Sequence, residues 1–312
     1  MTNLGALSGV DRYGRSFSRA NAINDVGQIV GSSTQCGENA SYCGSTAVLW
    51  QNDTILDIGP FPSSRVQATD INNLGQVVGQ WGDGNIFEMF YWRPDTGIVD
   101  PGDVPWPPKD ISFGLDGERA RGINDHGQVV GVLQGEYPDK KGFVWDQNSG
   151  FTPIGYDLGP GRRIEARDIN NLGQIVGFNS DGYSGQGFIM IDGLMVEIGE
   201  LSGGWSGSGP SSINDAGQVV GGSFLWDQYL GLLDLNDLIS PLDPLYGSTT
   251  ILNAFDINNY GQIVGVADFG GVRRGFLATP VPVPEPGTLA LFGIGLLGMG
   301  LSRRRKKLSQ VA

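Results

Sequence analysis

Three aspartates, Asp70, Asp168 and Asp256, each stand immediately before an isoleucine in a short phrase that recurs along the chain. Carboxylates are the usual currency of acid–base chemistry, and a pair of them can drive glycoside hydrolysis. Here their spacing follows the recurring phrase, which makes them architectural, and no pair is singled out. The single histidine, His126, occupies the variable position of a predicted turn and reads as an exposed turn residue rather than a general base. No serine or cysteine lies in a Gly-x-Ser-x-Gly motif, and no D-x-[DN]-x-[DN]-G calcium loop is present. Cys36 and Cys43 enclose Gly-Glu-Asn-Ala-Ser-Tyr and lack Cys-x-x-Cys spacing. They are expected to form a disulfide that closes this short loop, worth about 2–3 kcal/mol and suited to an oxidising compartment. Neither a cofactor nor a metal site is expected, and the chain is read as non-enzymatic.

Polar residues recur more regularly than acids. Asn24, Asn72, Asn124, Asn170, Asn214 and Asn258 are each followed four residues later by a glutamine. Such amides could ring a polar ligand, but each repeat needs turn capping and strand-end hydrogen bonds, and that is the favoured reading. Arg19, Arg119, Arg121 and Arg167 fall on predicted inner strands and could line a channel, although solvated arginines at strand ends are the simpler expectation. Trp50, Trp92, Trp145 and Trp226 recur with the repeat and are expected to anchor the core. Trp81, Trp106 and Trp205 fall outside that pattern and are the candidates for an exposed aromatic contact.

The elements that position these residues follow from the phrase itself. It begins at Ile23, Ile71, Ile123, Ile169, Ile213 and Ile257, at intervals of 44 to 52 residues, and reads Ile-Asn-(Asp/Asn)-x-Gly-Gln-(Ile/Val)-Val-Gly. This predicts a β-hairpin: Asn and Asp tolerate turn geometry, Gly accepts positive φ, and β-branched residues start the returning strand. A small residue precedes each isoleucine by three, Ala20, Ala68, Ala120, Ala166 and Ala254, with Pro210 the exception. It suits a strand packed near a crowded axis. A third apolar run follows each hairpin and a fourth follows that, as in Ala-Val-Leu-Trp to Trp50 and Ile-Leu-Asp-Ile-Gly around Asp57.

Four short strands per repeat predict an all-β fold, a β-propeller of about six four-stranded blades over 1–279, with a β-solenoid as the alternative. The sixth repeat lacks a fourth run, and Asn3–Gly9 resembles Val196–Gly204. Leu4–Leu7 are therefore expected to complete the last sheet against Gly275–Ala278 and close the ring.

Composition agrees. Of 312 residues 51 are glycine and 39% are hydrophobic, with seven tryptophans, which suits frequent tight turns around a real core. The net charge of −13 argues against nucleic acid as a partner.

From Thr279 the composition changes. Residues 280–287 form a Pro-rich linker. Residues 288–307 combine an apolar run, Thr288–Leu301, with a basic stop, Arg303, Arg304, Arg305, Lys306 and Lys307. Fourteen residues span about 21 Å as a helix, short of the roughly 30 Å hydrocarbon core. The terminal position and basic end nonetheless predict a transmembrane helix with a cytoplasmic C-terminus.

Pro284-Glu285-Pro286, the apolar run and the basic cluster occur in order and resemble the PEP-CTERM sorting signal. The six phrases resemble HAF-type extracellular repeats. The resemblance implies processing by an exosortase-type membrane protease, transient residence in the inner membrane, and delivery to the cell surface or medium. Polysaccharide or matrix proteins would be its partners there, and a propeller hydrolase or lyase acting on extracellular polysaccharide is the alternative activity. Such proteins carry an N-terminal signal peptide; residues 1–16 have no apolar core, so the start is expected upstream of this sequence.

Overall fold

A computed structural model describes residues 4–7, 17–36, 43–59, 65–82, 87–99, 118–133, 141–155, 161–181, 184–199 and 209–280. The chain divides into two compact units, Met1–Ala278 and Thr279–Ala312. The sorting residues Pro284, Glu285 and Pro286, the predicted helix 288–301 and the basic stop Arg303–Lys307 lie outside the described residues. Among the described residues no helix is long and apolar enough to cross a membrane.

Each recurring phrase builds one antiparallel sheet in simple meander order. Sheet 1 contains β1 (Ser18–Ile23), β2 (Ile29–Cys36), β3 (Cys43–Gln51) and β4 (Thr54–Asp57). Sheet 2 contains β5 (Arg65–Ile71), β6 (Val77–Gly82), β7 (Phe87–Arg93) and β8 (Gly97–Val99). Sheet 3 contains β9 (Glu118–Ile123), β10 (Val129–Leu133), β11 (Lys141–Asp146) and β12 (Gly150–Ile154). Sheet 4 contains β13 (Arg163–Ile169), β14 (Ile175–Ser180), β15 (Gly185–Ile191) and β16 (Leu194–Glu197). Sheet 5 contains β17 (Ser212–Ile213), β18 (Val219–Gly221), β19 (Phe224–Asp227) and β20 (Gly231–Asp234). Sheet 6 has three strands, β21 (Thr249–Ile257), β22 (Ile263–Phe269) and β23 (Arg273–Ala278). Six sheets arranged around a common mouth make a six-bladed β-propeller.

The core is divided among the junctions between sheets. Val30, Leu49 and Ile58 of the first repeat meet Val66, Ala68 and Phe90 of the second. Four further clusters join sheets 2–3, 3–4, 4–5 and 5–6 in the same way. The repeated alanine belongs to these junctions: Ala68, Ala120, Ala166 and Ala254 are fully buried within them. Its small size therefore lets neighbouring sheets approach, which corrects the expectation that it relieves crowding at the axis.

The sixth junction is different. Ile71, Ile123, Ile169, Ile213 and Ile257 are 4–5% exposed, whereas the equivalent Ile23 is 60% exposed. Val30, Val78, Val130, Val176 and Val220 have no exposure, and the equivalent Val264 has 41%. Sheets 6 and 1 thus leave their facing surfaces open.

The expected closure by Leu4–Leu7 is not found. These residues are irregular, and the Leu7 N–H donates to Ser33 Oγ of β2 at 2.9 Å. A Cβ placed on Gly5 would stand 3.6 Å from Ile55 Cδ1 of β4, so the segment lies against sheet 1. The reason is in the matched residues. Leu4 and Gly5 correspond to Ile198 and Gly199, which follow β16 rather than form it. Gly5 and Gly199 share a positive φ, 73° and 88°. At these two residues the likeness is to the segment just after a fourth strand.

Candidate functional site

The six recurring turns converge on one mouth of the propeller. A cavity of about 160 Å³ there is lined by Asn24, Asn72, Asn124, Asn170, Asn214 and Asn258 and the residues on either side of each. Five of the six asparagines do two jobs. Asn124 Oδ1 accepts from the Gln128 N–H at 3.0 Å, closing its own turn. Its Nδ2 donates to Gln128 Oε1 at 2.8 Å and to the Asn170 carbonyl of the next sheet at 3.1 Å. The same crossing bond runs from Asn24 to Asn72, Asn72 to Asn124, Asn170 to Asn214 and Asn214 to Asn258. Asn24, Asn72, Asn124, Asn170 and Asn214 thus spend their amides on their own turns and on the next sheet, whereas Asn258 Nδ2 bonds, among the described residues, to Gln262 Oε1 alone.

The residue after each asparagine adds a second belt. Asp25, Asn73, Asp125, Asn171, Asp215 and Asn259 alternate, and the alternation is chemical. Asn171 Nδ2 donates to Asp125 Oδ2 and to Asp215 Oδ2, both at 3.0 Å. Asn73 Nδ2 bridges Asp25 at 3.1 Å and Asp125 at 3.2 Å. Two neighbouring aspartates would repel; alternation gives every carboxylate an amide donor. The signal was present in the sequence as strictly alternating Ile-Asn-Asp and Ile-Asn-Asn phrases.

Asp70, Asp168 and Asp256 line the same mouth. Asp70 accepts from Ile71 N–H at 2.9 Å and, across the junction, from Ile123 N–H at 2.8 Å. Asp168 repeats this with Ile169 at 2.8 Å and Ile213 at 2.9 Å. Asp256 accepts from Ile257 N–H at 2.9 Å and from Ser212 Oγ at 2.7 Å. Sheets 2 and 4 therefore use a carboxylate to clamp the sheet that follows, whereas Asp256 of sheet 6 accepts from Ser212 of the sheet before it. Among the described residues no such bond reaches Ile23, and none joins Asn258 to Asn24.

Two of these carboxyls, Asp70 and Asp168, are pushed up from the ordinary carboxylate range. Burial, and then the Asp168 charge, keeps the Asp70 carboxyl well above the usual carboxylate range. Burial, reinforced by Asp256 and opposed by hydrogen bonds from Ile213 and Ser212, pushes Asp168 up to about 7. For an acid raised in the folded state, the folded protein binds more protons than the unfolded chain between about pH 4 and pH 7. Its stability accordingly falls as pH rises through that window. The thermal midpoint is expected to be lower at pH 8 than at pH 5. Asp168→Asn keeps an acceptor for Ile213, removes the charge, and is expected to reduce the difference by about 1–2 kcal/mol. An unchanged gap, measured by calorimetry at both pH values, would refute the clamp electrostatics.

The remaining candidates separate clearly. His126 is exposed, and its backbone N–H donates to Asn124 Oδ1 at 3.1 Å, as a turn residue does. Trp50 and Trp145 are buried core anchors. Trp81 is half-buried against the junction of sheets 1 and 2; Trp106 and Trp205 lie outside the described residues. Cys36 and Cys43 are directly opposed in the β2–β3 register, while their side chains lie outside the described residues. Among the described residues no group of three or more His, Cys, Asp or Glu side chains is placed to hold a metal ion.

Residues 282–306 match the PEP-CTERM protein-sorting motif. No curated protein matches the chain. Among solved structures, TolB from Acinetobacter baumannii is similar at 8% identity and a TM-score of 0.44, over 80% of this chain and 63% of that one. This chain therefore spans less than two thirds of that protein. A putative TolB from Agrobacterium tumefaciens is similar at 12% identity and a TM-score of 0.42, covering 81% of this chain and 82% of its own. The dipeptidyl peptidase 4 of Porphyromonas gingivalis gives 8% identity and a TM-score of 0.45, covering 81% and 45%. These are distant likenesses of shape, without bearing on activity.

Proposed function

We propose that this protein is an exported, non-catalytic interaction platform, a six-bladed propeller delivered through a processed C-terminal tail. The observation that carries the reading is the sorting motif at 282–306, placed directly after the propeller unit. In this reading an exosortase-type membrane protease acts near Pro284-Glu285-Pro286. Thr288–Leu301 spans the inner membrane transiently, and Arg303–Lys307 hold the end in the cytoplasm. The propeller then remains at the cell surface or in the medium, where Cys36 and Cys43 form a disulfide. Polysaccharide or matrix proteins are its proposed partners, and the HAF-type reading of the repeats rests on their phrase alone.

The non-catalytic part is supported by how fully the mouth is occupied with its own bonds: amides and carboxylates are spent on turns and clamps. The raised Asp168 carboxyl, pushed up to about 7, favours a second reading, a hydrolase or lyase using acid catalysis at this mouth. Turnover of a polysaccharide panel that is abolished by Asp168→Asn would establish that reading and end the first.

Mass spectrometry of the protein from fractions of its native host tests the export. The mature chain is expected in the envelope or medium, cut near the sorting motif, with its two cysteines oxidised. Replacing Pro284-Glu285-Pro286 by three alanines is expected to leave the tail attached and the protein in the membrane fraction. A cytoplasmic protein with Arg303–Lys307 intact would refute the proposal.

A further inference from the structure

Sheet 6 ends on an edge that the other sheets cover. In sheets 1 to 5 a fourth strand pairs with the third, whereas β23 is the outermost strand of sheet 6. Four of those fourth strands lead into one kind of residue. Ile58, Ile154, Ile198 and Leu235 are 3–5% exposed, and each enters the junction with the following sheet. Three of their N–H groups return to the third strand: Ile58 donates to the Ala47 carbonyl at 2.9 Å, Ile198 to Gly187 at 3.0 Å and Leu235 to Ser223 at 2.7 Å. The residue before is acidic in three of the four, Asp57, Glu197 and Asp234.

The same seat at β23 is uncovered. Phe276 pairs with Gly265 as Val48 does with Gly31, Phe188 with Gly177 and Phe224 with Gly221, so Gly275 holds the place of Ala47, Gly187 and Ser223. Backbone groups alternate sides along a strand, and those of Gly275 and Leu277 therefore turn outward. Among the described residues no strand meets them. Val264 and Leu277 are 41% and 63% exposed, while their equivalents beside Ile198, Val176 and Ile189, are 0% and 1% exposed. Ile23 of sheet 1 holds the place of Ile213, the opposite wall of that cluster, and is 60% exposed.

The edge also carries charge. Arg274 holds the place of Thr46, whose hydroxyl donates to Asp57 Oδ1 of the fourth strand at 2.7 Å. The side chains of Arg273 and Arg274 are exposed and make no hydrogen bond or ion pair among the described residues. Asp268, opposite Arg273 in the ladder, accepts from the Gly271 N–H through Oδ1 at 2.6 Å. Two such edges from two copies would bring like charges together, which disfavours pairing of β23 with itself. Leu4–Leu7 of the same chain lie on sheet 1.

We propose that the β23 edge, with the seam beside it, is a docking site for an extended segment of a partner protein that adds a fourth strand to sheet 6. An open edge offers main-chain hydrogen bonds, and side-chain pockets beside it select the sequence. The covered seats supply the pattern, an acidic residue followed by isoleucine or leucine. In the docked segment the apolar side chain enters between Val264, Leu277 and Ile23. Its N–H donates to the Gly275 carbonyl, and the acid reaches Arg274. The site rests on the platform reading and narrows it to a protein partner. Binding and export are separate measurements, so a failure of one is distinct from a failure of the other.

Fluorescence anisotropy of a labelled peptide, Leu-Met-Val-Glu-Ile-Gly-Glu, titrated with the full chain tests the site; the peptide copies the chain's own residues 194–200. It is expected to bind saturably and to slow hydrogen exchange at the amides of Gly275 and Leu277. Serine in place of the peptide's isoleucine, or Leu277→Asp in the protein, is expected to weaken binding about tenfold or more. Arg274→Ala is expected to weaken it less and to flatten its salt dependence. Leu242→Asp, at a 93% exposed position on the connection between sheets 5 and 6, is expected to change nothing. Thermal melts of each variant check that the fold is kept. The site is overturned if the peptide does not bind, if it binds without protecting Gly275 and Leu277, or if Leu242→Asp weakens it as much as Leu277→Asp. A dimer of the full chain that the peptide dissociates would assign the seat to a second copy and overturn the partner protein.

Discussion

Replacing Gly131 by alanine is expected to cost about 3 kcal/mol. Gly131 ends the recurring phrase of sheet 3 and pairs with Ala120 of β9 and Phe143 of β11. A Cβ added there would meet the Arg119 carbonyl oxygen at 2.1 Å and the Phe143 ring at 2.8 Å. The ring could turn, but the carbonyl belongs to the β9–β10 ladder and cannot move without breaking it. The other phrases end in the same way: Gly31, Gly79, Gly177 and Gly265 each leave only 1.9–2.3 Å to an inner-strand carbonyl, and Gly221 leaves 2.5 Å to the Gly209 carbonyl. The phenylalanine of the third strand covers this gap in four sheets, Phe90, Phe143, Phe188 and Phe276. Gly275→Ala is the control, since its nearest neighbour is 3.8 Å away, and it is expected to cost under about 0.5 kcal/mol. Comparable losses for the two variants in urea denaturation would remove the close-packing account.

The second large effect is a contrast between equivalent positions. Val130→Ser is expected to destabilise by about 2–3 kcal/mol, because it places a hydroxyl in the sealed junction of sheets 3 and 4. Val264→Ser changes the same residue of the same phrase, yet its side chain is 41% exposed, and the expected loss is under about 0.5 kcal/mol. Ile123→Ser and Ile23→Ser should differ in the same direction, for the same reason. The open faces carry matching halves of a junction: Asp256 on sheet 6 stands where Asp70 and Asp168 clamp the following isoleucine, and Ile23 stands where that isoleucine would be. Equal losses at Val130 and Val264 would show that sheets 6 and 1 pack against each other like the other five pairs.

What the sequence determined by itself is what short-range chemistry controls. Asn-Asx-x-Gly fixes a tight turn, β-branched pairs fix the strand after it, and their recurrence fixes six sheets of one pattern. The tail is legible for the same reason, since three features in order over 282–306 need no fold to define them. Tertiary structure decided everything that depends on residues 44 to 54 positions apart. Which carbonyl receives each asparagine amide, why Asp and Asn alternate, and why Gly131 admits no side chain are properties of one sheet meeting the next. The likeness of Leu4 and Gly5 to Ile198 and Gly199 was real but belonged to the segment after a fourth strand, because a seven-residue match does not say which side of a strand it lies on. Turns are encoded by the residues within them, whereas junctions and clusters exist only once distant strands are brought within a few ångströms.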